Sequence, residues 1–508
     1  MTPDPNRDGE NAASESLSEL RDCASAIPIM ALPPELLGEI FLQSIDYGAL
    51  GEGDHFERMS KLRKTRGSII SVCSRWREVA FSTSAFWSTT SFPLPVKVSY
   101  LAGWVPSLSI PPRAYDLFNL EVGSAGSSPI SLTTQFTDFG TDYVPYYERL
   151  VPELSQAIYP VLPRCKNFVI TAPAQVVLGL INSDPARFAN LRSLSLDASG
   201  GFLGVDSEKI NQLGSVDLSQ SPLIRDLWIR FSVSPDHPFY MRICLPNANA
   251  LHRLVLKGPF DVQRMLTNII SASNLRALSW GSPTSAQPHA TPYSKVCLPG
   301  LCHLQVSGVE PRDILGAIDA PCLHTLTISG EQIPKALKTI KHKFPLLRVL
   351  NATSDLIRGT IPPQLVAEIC ESHSMLEVLI VSADLRGWFV KLSSLRNIRL
   401  LGAMGDGPNW GDTEILLKSW AEGAREGELQ WRSRRLFSVQ GFHELDENSG
   451  EEWEGYVERC FAPLGDLSIF VQLGLDRFPY WQYFDQEWHD FFTKVEADPS
   501  FVPYDPSY

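Results

Sequence analysis

A short leucine pattern returns nine times between residues 191 and 402 of this 508-residue chain. Its second leucine, or the equivalent residue, recurs at gaps of 19–33 residues. Self-similarity at such a period marks an array of stacked units, each of which contacts only its neighbours. The sequence therefore predicts a solenoid over the middle of the chain. The positions of this register residue are 194, 227, 254, 278, 304, 326, 350, 379 and 398.

The pattern LxxLxL predicts one short strand in each unit. In LHRLVLKG the alternation of a strand points Leu254 and Leu256 inward, and it points Arg253, Val255 and Lys257 outward. The intervening segments DVQRMLTNIIS, PRDILGAI, EQIPKALKTIKHKF and PPQLVAEICESH each favour a short helix. The period and pattern resemble those of leucine-rich repeats. Glycine often stands where that family has asparagine, which predicts irregular turns.

Outward strand positions are the candidate surface for a protein target, because stacked strands present them side by side. Tryptophan and arginine tend to anchor interfaces. The alternative for each residue is an ordinary solvated strand position. The candidate target-binding residues are Asp226, Trp228, Arg230, Arg253, Lys257, His303, Gln305, Thr325, Thr327, Asn397 and Arg399.

Charge is concentrated at one end of the chain. Residues 444–508 contain 15 acidic and 3 basic residues and carry −12 of the formal net charge of −13. The nearly neutral remainder gives no general field for nucleic acid or an anionic membrane, so we expect neither as a partner. The local clusters RMSKLRKTR and WRSRRLF are interpreted as solvated faces or loops, with a nuclear-import signal as the alternative.

Composition favours a globular intracellular protein, cytoplasmic or nuclear. Hydrophobic residues make up 44% of the chain, and no apolar stretch reaches the ~18–20 residues of a membrane helix. The polar, acidic start of the chain is unlike a signal peptide. Nine cysteines without a CxxC pair indicate reduced thiols rather than a disulfide framework.

No pattern of a catalytic or metal site is present. GAMGDG, at 402–407, lacks the lysine of a phosphate loop and is interpreted as a turn, and neither GxSxG nor HExxH occurs. The acids around His489 are typical of a surface helix. We expect no catalytic residue, metal or cofactor. The cysteines and histidines considered as metal ligands, whose spacing fits no zinc pattern, are Cys297, Cys302, His303, Cys322 and His324.

A separate helical segment, ALPPELLGEIFLQSI, precedes the repeats. Pro33 and Pro34 suit a helix start, where the missing N–H costs nothing, and Glu35 complements the helix dipole. Beyond them, the apolar residues fall on one stripe at 36, 37, 40 and 41. The sequence predicts a short amphipathic helix here.

Two further helices are expected after this one. The charged, glycine-spaced stretch DYGALGEGDHFERMSKLRKTRG is interpreted as a loop. SIISVCSRWREVAFS then shows one apolar stripe from Ile69 to Ala80, and a short helix with Phe86 and Trp87 follows. About 60 residues bury only a modest core. The residues alone leave two alternatives open, a terminal cap for the solenoid or a docking module.

The order LPPELLGEIF, VCSRWREVA and FW resembles the F-box, the helical module that binds the Skp adaptor of SCF ubiquitin ligases. The resemblance covers residues 30–92, and its style is similar to F-box proteins of mushroom-forming fungi. The connection between the first two helices is longer than is usual in that family. The resemblance implies a cullin-linked, substrate-recruiting subunit. The implied adaptor-binding or F-box-core residues are Leu32, Pro33, Leu36, Leu37, Ile40, Phe41, Val72, Cys73, Trp76 and Trp87.

The predicted fold class is α/β, with a small N-terminal helical F-box followed by an irregular leucine-rich-repeat solenoid of parallel strands and short helices. SSPISLTTQF, at 127–136, predicts an early strand. The aromatic, acidic segment FPYWQYFDQEWHDFF is interpreted as a cap on the open end of the solenoid, or alternatively as a partner-binding segment. The predicted organisation is a disordered tail (1–29), the F-box-like module (30–92), a linker with first strands (93–160), the repeats (161–410) and a capping region (411–508).

Overall fold

The fold is that of a computed structural model, which divides the chain into two compact units. Of the described residues, the first unit comprises 29–45, 55–94 and 112–136, and the second comprises all the others. The structure describes residues 29–45, 55–94, 97–101, 105–109, 112–136, 150–198, 215–231, 241–245, 248–282, 293–308, 311–330, 333–353, 361–382, 400–404, 435–440 and 469–473.

Ten α-helices lie in these ranges, together with short 3₁₀ turns. They are α1 Pro34–Ser44, α2 His55–Ser71, α3 Ser74–Ser82, α4 Pro112–Ser124, α5 Leu150–Ile158, α6 Ala174–Ser183, α7 Val262–Ile269, α8 Pro311–Ala317, α9 Ile333–Ile340 and α10 Pro363–Ser372.

Twenty strands lie in the same ranges. They are β1 Thr89–Leu94, β2 Lys97–Leu101, β3 Val105–Ser109, β4 Ile130–Phe136, β5 Cys165–Thr171, β6 Ser193–Ala198, β7 Ser215–Asp217, β8 Asp226–Phe231, β9 Arg242–Cys244, β10 Arg253–Lys257, β11 Ala277–Ser282, β12 Val296–Cys297, β13 His303–Gly308, β14 Ile318–Asp319, β15 Thr325–Gly330, β16 Val349–Thr353, β17 Val378–Ser382, β18 Leu400–Met404, β19 Arg435–Gln440 and β20 Ile469–Leu473.

The first unit contains helices α1, α2, α3 and α4 and the two paired strands β1 and β4. The predicted helix α1 is confirmed, with Pro33 at its N-cap. The interpretation of the following stretch as a loop is wrong from His55 onward, where the 17-residue helix α2 begins. The second apolar stripe is not one helix either. It is divided at Val72 and Cys73, and the Cys73 sulfur accepts a hydrogen bond from the backbone N–H of Trp76 to start α3.

The strand expected at 127–136 is confirmed as β4, which pairs in parallel with β1. Phe92 of β1 is fully buried, and its ring centroid lies 4.8 Å from that of Phe118 on α4. Helix α4 therefore packs on β1 through an aromatic contact.

The second unit is built on parallel strands that pair almost in chain order, from β5 through β6, β8, β10, β11, β13, β15, β16, β17, β18 and β19 to β20. Eight predicted register residues lie directly beside one another across this sheet, from Leu194 on β6 to Leu379 on β17. Phe168 of β5 extends the ladder one strand earlier. The ninth position is wrong, because Leu379 pairs with Leu401, while residue 398 lies outside the described residues.

The first residue of each LxxLxL unit, which is leucine in all but one, forms a second buried ladder beside the register residues. All eight side chains are at most 1% exposed, because the turn before each strand places them under the strand start. Full burial of such a side chain contributes about 1.5–3 kcal/mol. The members of this ladder are Leu191, Ile224, Leu251, Leu275, Leu301, Leu323, Leu347 and Leu376.

The helices predicted between the repeat strands are confirmed as α7, α8, α9 and α10. The parallel sheet also continues past residue 410, since β19 pairs with β18 and β20 pairs with β19. The segment GAMGDG, interpreted as a turn, begins inside strand β18. The aromatic acidic segment at 478–492 lies outside the described residues.

Glycine ends several strands because the backbone turns there into a conformation that side chains disfavour. Gly258, Gly308 and Gly330 have φ values of 141°, 117° and 116°. A Cβ on Gly330 would clash with the carbonyl oxygen of Gly308 on the neighbouring strand. At Gly258 and Gly330, the irregular turns that the sequence predicted are thus close backbone approaches.

We expect Gly330→Ala to lower the free energy of unfolding by about 2 kcal/mol or more, through positive-φ strain and the backbone clash. Chemical denaturation followed by circular dichroism would measure it. Gly316→Ala is the matched control, because Gly316 lies in helix α8 with nothing within 4 Å of its added Cβ. Equal stability of the two variants would contradict this account of the turns.

Candidate functional site

Helix α1 has one buried and one exposed apolar face. Leu37 and Phe41 are 0% and 1% exposed, whereas Leu36 and Ile40 are 52% and 40% exposed. Each pair is separated by four residues, so each pair lies along one line of the helix. The helix therefore commits one apolar line to the core of the first unit and leaves the other uncovered.

The buried line of α1 packs on an aromatic cluster from α3 and the 3₁₀ turn that follows it. The Phe41 ring centroid lies 5.1 Å from that of Trp76 and 5.9 Å from that of Phe86. Phe86 and Trp87 meet edge to face at 5.3 Å, and the Trp87 indole N–H donates to the Ala80 carbonyl at 2.8 Å. These contacts fix α1 against α3.

Arg66 of helix α2 lies inside this cluster. Its guanidinium is centred 5.6 Å from the Phe86 ring and 5.3 Å from the Trp87 ring, and it donates to the Phe86 carbonyl at 2.5 Å. A cation over aromatic faces is attracted by their negative π-face. The interpretation of RMSKLRKTR as a solvated face or loop is therefore wrong for Arg66, which is only 2% exposed.

Arg63, one turn earlier on α2, forms a two-pronged ion pair with Glu121 of α4. The two nitrogen–oxygen distances are 2.9 and 3.0 Å, and the Glu121 side chain is 2% exposed. Thr90 also donates to Glu121, and Arg63 donates to the Ser91 carbonyl at 2.5 Å. Because breaking a buried pair leaves an uncompensated charge, these bonds join α2 firmly to α4 and β1.

A third arginine holds the segment that leads into α1. The guanidinium of Arg75, on α3, donates to the Leu32 carbonyl at 2.5 Å. Pro33 is exposed and Leu32 is half-buried. Val72, just before α3, is 55% exposed. Arg75 thereby ties the start of α3 to the residues before α1 and keeps both close together.

The structure separates the ten residues that the F-box resemblance singled out. Leu37, Phe41 and Trp87 belong to the core. Four of the other seven are exposed: Pro33, Leu36, Ile40 and Val72. The remaining three, Leu32, Cys73 and Trp76, are half-buried.

Sequence reasoning did not single out Ile29, which is 44% exposed on the 3₁₀ turn before α1. An apolar residue just ahead of a helix start was the signal that could have identified it. Together Ile29, Leu36, Ile40 and Val72 are named here the open apolar set.

We expect Leu37→Ala to lower the free energy of unfolding of the first unit by about 2–5 kcal/mol, because it leaves a cavity in the core. Leu36→Ala, the adjacent residue on the same helix, should change it by no more than about 0.5 kcal/mol. Thermal unfolding of both variants would measure the difference. Similar losses in both would contradict the separation of buried and exposed lines on α1.

The outward face of the repeat strands is a second candidate surface, although it is less open than the sequence predicted. The described candidates on β8 to β15 are half-buried, and none is fully exposed. Trp228 is one of them. Val255, predicted to point outward, is 0% exposed, so that prediction is wrong for solvent exposure. Asn397 and Arg399 lie outside the described residues.

Polar contacts connect neighbouring strands along this outward face. Arg230 lies 3.9 Å from Asp197, and the Ser279 hydroxyl donates to the Gln305 side chain at 2.9 Å. Burial raises the pKa of the Asp226 carboxyl, and the nearby charges of Arg253, His252 and Arg225 oppose that rise. The face thus combines a partly desolvated acid with surrounding cationic side chains.

The described cysteines are free thiols in two environments. Burial raises the pKa of Cys165 to about 12, against the opposing charge of Arg164. Burial, reinforced by Glu371, raises the pKa of Cys370 to about 12. Cys244, Cys297 and Cys322 are exposed. Within the described ranges, no group of three or more His, Cys, Asp or Glu residues is arranged to hold a metal ion.

We expect a thiol reagent at pH 8 to label Cys322 and Cys297 in the native protein and to leave Cys165 and Cys370 unmodified. A pKa of about 12 leaves only about one thiol in 10⁴ as the reactive thiolate, and burial also blocks access. Peptide mass spectrometry after timed alkylation would measure this. Rapid native labelling of Cys165 would contradict the packing around β5.

Comparisons with known proteins do not identify the chain: neither a scan against protein-family models nor a search of curated proteins finds a match. Among the described helices, none is long and apolar enough to cross a membrane.

Proposed function

We propose that this protein is a substrate-recruiting F-box subunit of an SCF-type ubiquitin ligase. The first unit binds a Skp-type adaptor, and through it a cullin. The repeat strands hold a protein target. The protein has no catalytic role of its own, and its contribution is to raise the effective concentration of the target near the ubiquitin carrier.

The open apolar set is the observation that carries this proposal. Leu36 and Ile40 are substantially exposed on a helix whose opposite line is firmly packed. An uncovered apolar helix line beside a rigid aromatic core suits docking of a partner helix or groove. These residues coincide with positions that the F-box resemblance assigns to adaptor binding.

The firm packing of the first unit also supports the proposal that it binds an adaptor. Arg63, Arg66 and Arg75 each bond to an element other than their own helix. Because the backbone around α1 is held before any partner arrives, docking loses less conformational freedom. A preorganised face of this kind favours a recognition role over a passive cap.

A pull-down with purified Skp adaptor tests the proposal. We expect the full-length chain to bind, and Leu36→Ala combined with Ile40→Ala to weaken binding at least tenfold, since both anchors lose their contact surface. Circular dichroism should show the same helical content in both proteins.

Leu117→Ala combined with Leu120→Ala provides the matched control in the same unit. These two leucines are 40% and 50% exposed on α4, away from the F-box-like motif in sequence. Their variant should bind the adaptor normally. Absence of binding by the folded, unmodified chain, or equal loss in both variants, would refute adaptor docking through α1.

The alternative is a protein-interaction scaffold that uses the same repeat surface without directing degradation. Co-purification of a cullin with the chain separates the two functions. A complex that contains the adaptor and the repeat partner but no cullin would favour the scaffold.

A further inference from the structure

A row of basic side chains lies where the strands of the second unit begin. The residue two positions before each register residue is basic in four of the first five strands of the large sheet in this unit: Lys166, Arg192, Arg225 and Arg276. All four are exposed, and His252 occupies the remaining position. We name these four the basic edge.

Backbone bonds place these residues directly beside one another. The N–H of Arg192 donates to the Lys166 carbonyl at 2.7 Å, and the N–H of Arg225 donates to the Arg192 carbonyl at 2.7 Å. The ladder continues through His252 to Arg276, with both distances 2.8 Å. Since adjacent strands lie about 4.8 Å apart, the four side chains project from a row roughly 19 Å long.

A repeated detail keeps this row regular. The Arg225 carbonyl accepts bonds from two successive N–H groups, those of His252 and Arg253, at 2.8 and 3.1 Å. The His252 carbonyl does the same for Arg276 and Ala277. Every strand start is therefore fixed at the same height, and the row does not depend on flexible loops.

Within the described residues, Asp226 lies near Arg225 and interacts with its charge, but the four side chains of the basic edge are not held in ion pairs. None of its four side chains forms an ion pair or a side-chain hydrogen bond there. At the next position along these five strands stand Arg253 and one acid, Asp226. Like charges on neighbouring strands repel each other, so an anionic partner would relieve a repulsion that the fold maintains.

We propose that the basic edge binds an acidic peptide segment of a protein partner, rich in Asp and Glu side chains. Arginine matches carboxylates with two parallel hydrogen bonds, and three of the four residues are arginine. Leu223, 48% exposed in the turn before Arg225, offers an apolar contact beside the charges. The inference is independent of adaptor docking, because the edge lies in the second unit.

A peptide fits this edge better than nucleic acid does. The basic row contains no Phe, Tyr or Trp side chain on which bases could stack. Outside residues 444–508 the chain is nearly neutral and gives no general field that would attract a long polyanion, whereas a short acidic segment meets mainly the local field.

The test measures binding of a fluorescent acidic peptide of about twelve residues to the full-length protein by anisotropy. We expect Arg192→Glu combined with Arg225→Glu to weaken binding at least tenfold. Raising the salt concentration should weaken binding to the unmodified protein. A peptide with Gln and Asn in place of Glu and Asp should not bind.

The matched control is Arg264→Glu combined with Arg312→Glu, which makes the same charge change at exposed arginines on α7 and α8. It should keep binding within about twofold of the unmodified protein, if the row rather than net charge recognises the ligand. Circular dichroism and thermal unfolding of both double variants report intact folding.

Three outcomes would overturn the proposal. They are no peptide binding, equal weakening in the two double variants, and tighter binding of a single-stranded oligonucleotide than of the peptide. A phosphoserine version of the peptide distinguishes the source of the negative charge. Binding of the phosphorylated form alone would replace carboxylates by phosphate and so refute the stated ligand.

Discussion

Alignment of the register leucines across parallel strands is the constraint on which the second unit depends. Side chains alternate along a strand, so a slip of one residue would turn Leu254 and Leu256 to the other face of the sheet. The buried first leucine of each unit reinforces the alignment from the preceding turn. The strands therefore stack in one favourable register. As a result, equivalent positions of the repeats line up in rows across the sheet.

The rows that result have different chemistry at different heights of the strand. Three rows are apolar and form the core, namely the first leucines, the register residues and the residues two positions after them, while the row at the strand start carries the basic edge. Trp228 and Arg230 are half-buried. They lie one and three positions after the register residue of β8, nearer to the end of the strand. A surface of this kind arises from residues some 25 positions apart in the chain, which become neighbours only when the strands pair.

In the first unit, contacts made by charged side chains help to hold the helices together, beside the apolar core. Arg66 lies against two aromatic rings, and Arg63 and Glu121 join helix α2 to helix α4. These bonds hold the aromatic cluster in place with few apolar residues. They also leave the second apolar line of α1 open, with Leu36 52% and Ile40 40% exposed. The contacts that stabilise the first unit therefore do not cover the exposed line of α1.

The sequence by itself determined the elements whose signals are local. The proline start of α1, the repeat helices α7 to α10, the first eight register leucines and the strand-ending glycines all follow from spacing and residue type. It also identified the region of the candidate docking site, because that motif is contiguous. Tertiary structure alone decided that residues 55–71 are helical, since Arg63 finds its partners only on α4 and β1, and Arg66 is buried only against the rings of Phe86 and Trp87. It likewise decided which line of α1 stays open, that strand β18 aligns on Leu401, and that basic residues from four separate strand starts form one row. Each of these depends on which distant segment packs alongside, and the local pattern carries no information about that.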